Sequence, residues 1–377
     1  MMKIVVAPDS FKGSLSAVEV CEFVERGVKR VDPNIEVIKV PMADGGEGTV
    51  HSLVASTGGR IINTKVRGPL MEIVNGFYGI LGDGKTAVIE MAAASGLTLI
   101  SMEERNPMKT TTYGTGELIK HALNMGCRNI ILGLGGSATN DGGAGMAQAL
   151  GVRFINKNRN DIEVCGRRLD EIYEIDMDGF DEKIKECNIT AACDVDNPLC
   201  GEKGASKVYG PQKGADEMMV EILDRNLEHY GRLLEKTLNV SIMDYPGAGA
   251  AGGMGAGVMA FLGASLKKGI DIVVEASGLE NIIRDADLVI TGEGSIDYQT
   301  AFGKTPYGVA KTAAKYNIPV VAIAGHIGQG AETLYEKGFT SIFSIAEGPI
   351  SLEESMANCS QLLERASERI IRLCKHF

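Results

Sequence analysis

The chain has 377 residues, 44% of them hydrophobic and 23% charged, and a formal net charge of −11. That length exceeds one ordinary core and sets an expectation of two domains. The acidic balance, with no Lys/Arg-dense segment, excludes a nucleic-acid surface or an anionic membrane surface as partner, while a few local lysines still allow a small anionic substrate.

No stretch approaches the roughly 18 apolar residues of a membrane span, and the apolar run in MMKIVVAPDS is too short for a signal peptide. The eight cysteines lie scattered without a Cys-x-x-Cys pair. Free thiols in a reducing cytoplasm are the simplest reading, and a zinc or redox site is not expected. The histidines are scattered too; His326 follows Gly325 in an expected loop, where a solvated side chain is the plain reading.

The β-branched run Lys3 to Ala7 reads as a buried strand. Ser16 and Glu19 form a capping box, and Val20, Phe23, Val24, Gly27, Val28 and Val31 recur at helical spacing behind it. Ile35 to Val40 is the next strand, completing a β-α-β opening typical of parallel sheets. Ile73 to Leu81 and Lys85 to Met91 flank a Gly-Asp-Gly turn and read as an antiparallel hairpin.

Strands at Asn129 to Leu134, Val152 to Ile155, Ile189 to Cys193 and Ile270 to Glu275 then alternate with helices, of which Asp216 to Leu238 is the longest. The Gly/Ala run Gly247 to Gly257 fits a hinge, a packed helix start or a second ligand loop, and close backbone packing is the commonest reason for such a run. The opening grammar returns at the far end, with strands at Leu288 to Thr291, Pro319 to Ala324 and Thr340 to Ile345. Helices are expected from the Thr305-Pro306 pair to Lys315, from Ala331 to Lys337 and from about Leu352 to Cys374.

The expected fold is therefore α/β in two lobes. Residues 1–60 and 285–377 would form a discontinuous, Rossmann-like outer domain with a parallel sheet. Residues 61–284 would form an inserted mixed α/β domain, with the active site in the cleft between them.

Within the insert, GGSATNDGGAG (135–145) joins the strand at 129–134 to the helix-forming stretch Met146 to Leu150. A loop of small residues feeding a helix N-terminus offers backbone N–H groups where anions bind well. Gly135, Gly136, Ser137, Thr139 and Asn140 would cradle phosphate, and Asp141 adds a carboxylate able to hold a metal ion. Taken alone, a Gly-rich turn is weak evidence, because tight turns need glycine whatever they do.

Its company strengthens the case. In an open parallel sheet, ligands bind beyond the carboxyl ends of the strands. Those ends deliver Asp9, Ser10 and Lys12; then Asp44; then Gly292, Glu293, Gly294 and Asp297. The insert adds Asp194, Asp196 and Asn197, followed by Gln212 and Lys213, and Lys304 completes a set of well-placed cations. Any one acid is equally well read as a cap or turn residue; the set together is the parts list of phosphoryl transfer. Gly303-Lys304-Thr305 is no Walker A loop, since Tyr298 occupies the position of its first glycine. The dinucleotide-like Gly133-x-Gly-x-x-Ala138 lacks a convincing acid about 20 residues on.

Seven segments together resemble the bacterial type-1 glycerate kinases: APDSFKGSLSA (7–17), PMADGGEGT (41–49), GLGGSATNDGGAGM (133–146), ACDVDNPLCG (192–201), GPQKGA (210–215), GAGAAGGMG (247–255) and TGEGSIDYQTAFGK (291–304). They span nearly the whole chain in order. The resemblance implies phosphorylation of D-glycerate by ATP with Mg²⁺, in a two-domain α/β fold. This chain departs from the pattern at Ser295, where members of the family often carry a basic residue.

Chemistry suggests the roles. Lys12 and Ser10, beside Asp9, would hold the glycerate carboxylate, and Asp194 would be the base, with Asp44 as rival and Lys213 as a catalytic cation. Gly292, Gly294 and Lys304 would join the 135–140 loop on the phosphates, and Glu293, Asp297 and Asp141 would hold Mg²⁺. The expected product is 2-phosphoglycerate, with 3-phosphoglycerate the other outcome, in a cytoplasmic enzyme that a homodimer would also accommodate. The competing readings are an NAD-dependent hydroxy-acid dehydrogenase and a small-anion sensor without turnover.

Overall fold

The computed structural model describes residues 2–375, which divide into two compact units. One takes its residues from Met1–Asp44, His51–Gly59 and Ile270–Phe377, the other from Gly45–Val50 and Arg60–Gly269.

The first unit is built on a five-stranded sheet. Its order is Ser341–Ser344, Val320–Ile327, Leu288–Ile296, Lys3–Val6, Glu36–Lys39, and every pair is parallel. Ile4, Val5 and Val6 are wholly buried, as a strand covered on both faces requires. From the centre the chain winds two ways: Lys3–Val6 leads to Glu36–Lys39 on one side, and Leu288–Ile296 leads outward on the other. The switch point therefore lies between Lys3–Val6 and Leu288–Ile296. Asp9 N–H donates to Gly292 O at 2.8 Å just past it.

The Ser16–Glu19 capping box forms as expected and starts the helix Ala17–Val31. Its buried face packs with Cys359–Cys374 in one apolar cluster. A Cβ on Gly27 would sit 2.3 Å from Glu364 O, so only glycine allows these two helices to approach so closely.

Two expectations fail here. The run Ile270 to Glu275 is not a strand but part of the helix Gly269–Ser277. Its β-branched composition suggests a strand, yet Ile270, Val273 and Ser277 fall on one helical face and are buried. The terminal helix is two helices, Leu352–Ala357 and Cys359–Cys374, because Ser351 supplies one start and Asn358 interrupts the run.

The second unit carries a six-stranded mixed sheet in the order Ser265–Lys267, Asn188–Ala192, Asn129–Gly133, Thr86–Glu90, Ile73–Ile80, Arg60–Arg67. The first four are parallel, and the last two add antiparallel pairs that include the expected hairpin. A small antiparallel pair, Arg153–Ile155 with Glu174–Asp176, stands apart. The Gly/Ala run is closely packed backbone: within Ala250–Leu262 it turns through left-handed conformation at Ala251, Gly252 and Gly253 (φ +54°, +72° and +88°) before the helix continues. Added Cβ atoms on Gly252 and Gly257 would lie 2.0 Å from Thr139 O and 2.5 Å from Gly142 O, so this run lies backbone-to-backbone against the Gly-rich loop.

Candidate active site

A cavity of about 980 Å³ opens at the carboxyl edge of the first unit's sheet. Asp9, Ser10, Lys12, Asp44, Glu293, Gly294, Ser295, Lys304 and His326 line its polar part. Strand ends place them: Asp9 follows Lys3–Val6, Asp44 follows Glu36–Lys39, and Glu293 lies within Leu288–Ile296. That last strand runs five residues beyond the expected end at Thr291 and pairs Ser295 with His326. Gly292 makes this pairing possible, since its Cβ would meet Ile323 O at 2.1 Å. Gly292 is thus a sheet residue outside the cavity lining, while Gly294 lines it, and His326 belongs to a strand rather than a loop.

Asp9 is buried, with Ser10 N–H donating to Oδ1 at 2.6 Å and the Thr305 hydroxyl to Oδ2 at 2.5 Å. Burial pushes its pKa up and the nearby Asp44 charge adds to this, outweighing the hydrogen bonds from Thr305 and Ser10. Glu293 is pushed up to about 7, chiefly by burial and further by Asp9. Lys304 Nζ, 3.5 Å from its Oε1, and the Thr300 hydroxyl, donating at 2.9 Å, only partly offset this. A buried carboxyl balanced near neutrality beside a lysine is what a proton-transfer site requires.

Asp297 does not join the cavity lining. It caps the short 3₁₀ turn Tyr298–Phe302, accepting from Gln299 N–H at 2.8 Å. Among the described residues no group of three or more His, Cys, Asp or Glu side chains could hold a metal ion. The carboxylates of the cavity do fit Mg²⁺, which needs only one or two protein carboxylates when substrate oxygens and water complete its shell.

The Gly-rich loop of the second unit is arranged otherwise. Asp141 is completely buried and accepts from Thr112 N–H at 2.7 Å, the Thr112 hydroxyl at 2.9 Å, and the Thr111 hydroxyl, Gly143 N–H and Gly145 N–H at 3.2–3.3 Å. At the start of the helix that follows, Ala144–Ala149, Gly145 N–H donates to this carboxylate, Ala144 N–H to the Asp141 carbonyl and Met146 N–H to the Thr112 hydroxyl. The carboxylate of Asp141 is thus engaged by donors of the chain itself inside the fold.

Thr139 and Asn140 are also fully buried; Asn140 Nδ2 donates to Ser206 Oγ at 2.9 Å, and Ser137 is nearly so. Of the expected phosphate cradle only Gly135 and Gly136 are exposed. Lys213 is buried as well, donates to Thr139 O at 2.6 Å, and is pushed down to about 7 by burial, against the charge of Asp141. It holds the loop from inside. Asp194 is exposed, with Oδ1 accepting from Gly269 N–H at 3.0 Å.

Sequence reading missed Thr305, expected only as a cap, whose hydroxyl holds Asp9. It also missed Glu90, an acid closing the apolar strand Thr86–Glu90. Glu90 is buried and accepts Val50 N–H at 2.8 Å, and burial raises its pKa. An acid at the end of a wholly buried strand was the available signal for it.

A doubly wound parallel sheet with acids and lysines at its switch point is the architecture of an α/β enzyme acting on a charged ligand. Residues 4–375 match the model of the glycerate kinase family. The chain is 52% identical over 377 residues to a glycerate kinase of Bacillus subtilis (strain 168), covering 99% of each. It is also 52% identical over 369 residues to the glycerate 2-kinase of Escherichia coli (strain K12), covering 98% of this chain and 97% of that one. A crystal structure from Salmonella typhimurium LT2, assigned as a glycerate kinase 2, matches with a TM-score of 0.92 and 50% identity over 100% of this chain and 98% of that one. The chain belongs to the glycerate kinase family and is an enzyme, which bears out the resemblance carried by its motifs. Dehydrogenase and sensor readings give way to it. Among the described residues no helix is long and apolar enough to cross a membrane.

Proposed function

We propose that the protein transfers the γ-phosphoryl group of ATP to D-glycerate, giving 2-phosphoglycerate. The supporting observation is the acid–lysine cluster at the switch point, where Asp9, Asp44 and Glu293 share one cavity with Lys12 and Lys304. A relative named glycerate 2-kinase, at 52% identity, favours the 2-hydroxyl.

Lys12 and Ser10 hold the carboxylate of glycerate. Lys304 bears on the phosphates as a point charge. One or two of Asp9, Asp44 and Glu293 would hold Mg²⁺, which would supply positive charge against the phosphates. A remaining carboxylate accepts the proton of the attacking hydroxyl. Glu293 suits that task best by its balance near neutrality, with Asp44 as its rival in the cavity. Orienting the hydroxyl in line with the γ-phosphorus accounts for much of the remaining rate, since the transferred group passes through a loose transition state.

The test is turnover with ATP, Mg²⁺ and D-glycerate, reading ADP release and separating the phosphoglycerates by ³¹P NMR. ADP with 2-phosphoglycerate is expected. Formation of 3-phosphoglycerate would correct the position, and no glycerate-dependent ADP would overturn the reading.

A further inference from the structure

The roles above use only the polar part of the cavity. Another stretch of its wall carries large apolar side chains, Ile327, Ile345, Ile350, Leu352 and Met356, interspersed with serines at 344, 351 and 355. Ile350, Leu352 and Met356 are 41%, 76% and 36% exposed, a cluster of large apolar side chains left facing solvent within seven residues. Local structure does not explain them, because the helix Leu352–Ala357 is already started by the Ser351–Glu354 capping box. The wall is also held in place: the Ser14 hydroxyl donates to Met356 O at 2.8 Å, tying it to the turn that carries Lys12. One concave surface thus runs from exposed aliphatic side chains to two lysines and three acids.

We propose that this apolar wall is the nucleoside subsite, taking the base and ribose of the phosphoryl donor while the phosphates run toward Lys304 and glycerate keeps Lys12. The proposal rests on the kinase reading above. A three-carbon acid leaves most of a cavity of about 980 Å³ unfilled, whereas that volume suits a ligand of nucleotide size. A planar base gains from aliphatic side chains on its faces, and the triphosphate needs a cation at the other end. The place is also the one physics favours, since doubly wound sheets take nucleotides in the crevice at their switch point. Exposed apolar groups lining a pocket with polar groups at one end mark a binding surface rather than core.

The test is the double variant Ile350→Asp/Met356→Asp, which puts two carboxylates into the wall at exposed positions and leaves the Met356 carbonyl in place. The KM for ATP is expected to rise at least tenfold with the KM for glycerate within twofold. An unchanged KM for ATP, or a rise in the KM for glycerate instead, would overturn the assignment. A second measurement does not depend on the variant folding: wild-type protein is photolabelled with 2-azido-ATP and the peptides are mapped by mass spectrometry. Label within residues 344–359 supports the subsite; label confined to the second unit sinks it. Label at 344–359 without glycerate-dependent turnover would support the subsite and remove only the kinase reading. Turnover with label elsewhere would do the reverse.

Discussion

Two glycine-flanked acids of this chain, one in a strand and one in a loop, look alike in sequence and do opposite things. Gly292-Glu293-Gly294 in the first unit and Gly135 to Gly145 in the second both set an acid among glycines after an apolar run. Glu293 ends in a cavity, with one hydroxyl and one lysine near it and its pKa raised to about 7. Asp141 ends in the interior, with its oxygens taken by two threonines and two glycine amides. Glycine content marks where backbone must come close. Whether the acid works on a ligand depends on where its donors come from, and Asp141 draws its own from the chain.

The largest effect that sharpens this contrast is on turnover. Glu293→Gln removes proton acceptance while keeping shape, and kcat is expected to fall about 10²–10⁴-fold with the KM for ATP little changed. Asp194→Asn should then stay within about threefold of wild type. If steady-state kinetics give the opposite ranking, the base belongs to Asp194 and the contrast between the two acids loses its chemical half.

Next in size is the stability of the Gly-rich loop. In Asp141→Asn the new NH₂ group faces N–H and O–H donors at a fully buried position, an expected cost of about 2–4 kcal/mol in urea unfolding. Activity per folded molecule should persist. A variant as stable as wild type with an altered Mg²⁺ requirement would put the metal role on Asp141.

A smaller effect is expected at Gly136, whose φ is +70° and whose added Cβ would meet Ala92 Cβ at 3.2 Å. Gly136→Val should cost about 1–3 kcal/mol through backbone strain, with the KM for ATP within about threefold. An ATP KM tenfold higher at unchanged melting temperature would make this loop a phosphate site after all.

Much of the frame was legible because it depends on local rules. Ile4 to Val6 declare a buried strand, Ser16 and Glu19 a capping box, and Asp216 a helix start that accepts from Met219 N–H. What stayed hidden depends on neighbours distant in sequence. The helix Tyr113–Asn124 begins Tyr-Gly-Thr-Gly, a poor helical signal, because Gly114 and Gly116 must clear Arg67 O and Met146 O. The same division runs through the site. Asp9, Ser10, Lys12, Asp44, Glu293 and Lys304 follow from strand-end logic and line one cavity. Asp141, Lys213, Asn140 and Asp297 have suitable chemistry but are buried or capping, and no local pattern reports that.

The smallest effect, and the one that most directly tests the state of Glu293, is the pH dependence of stability. An unfolded glutamate titrates near 4.5, whereas Glu293 in the folded protein titrates near 7, so the folded state holds the proton more tightly. Stability from this group is therefore fully present below about pH 4.5 and is lost as pH rises through about 7. Glu293→Gln keeps a neutral side chain at every pH. It should melt above wild type at pH 8, where wild type buries a charge only partly offset by Lys304, and close to wild type at pH 5. Each kcal/mol so relieved raises the melting temperature by roughly 2–4 °C or somewhat less in a chain of this size. The first acid would then be a carboxyl that destabilises the fold at working pH and serves turnover, a trade found where function sets the residue. Equal shifts at pH 5 and pH 8 would show that Glu293 titrates as an ordinary glutamate, and its balance near neutrality would no longer favour it over Asp44 as the base.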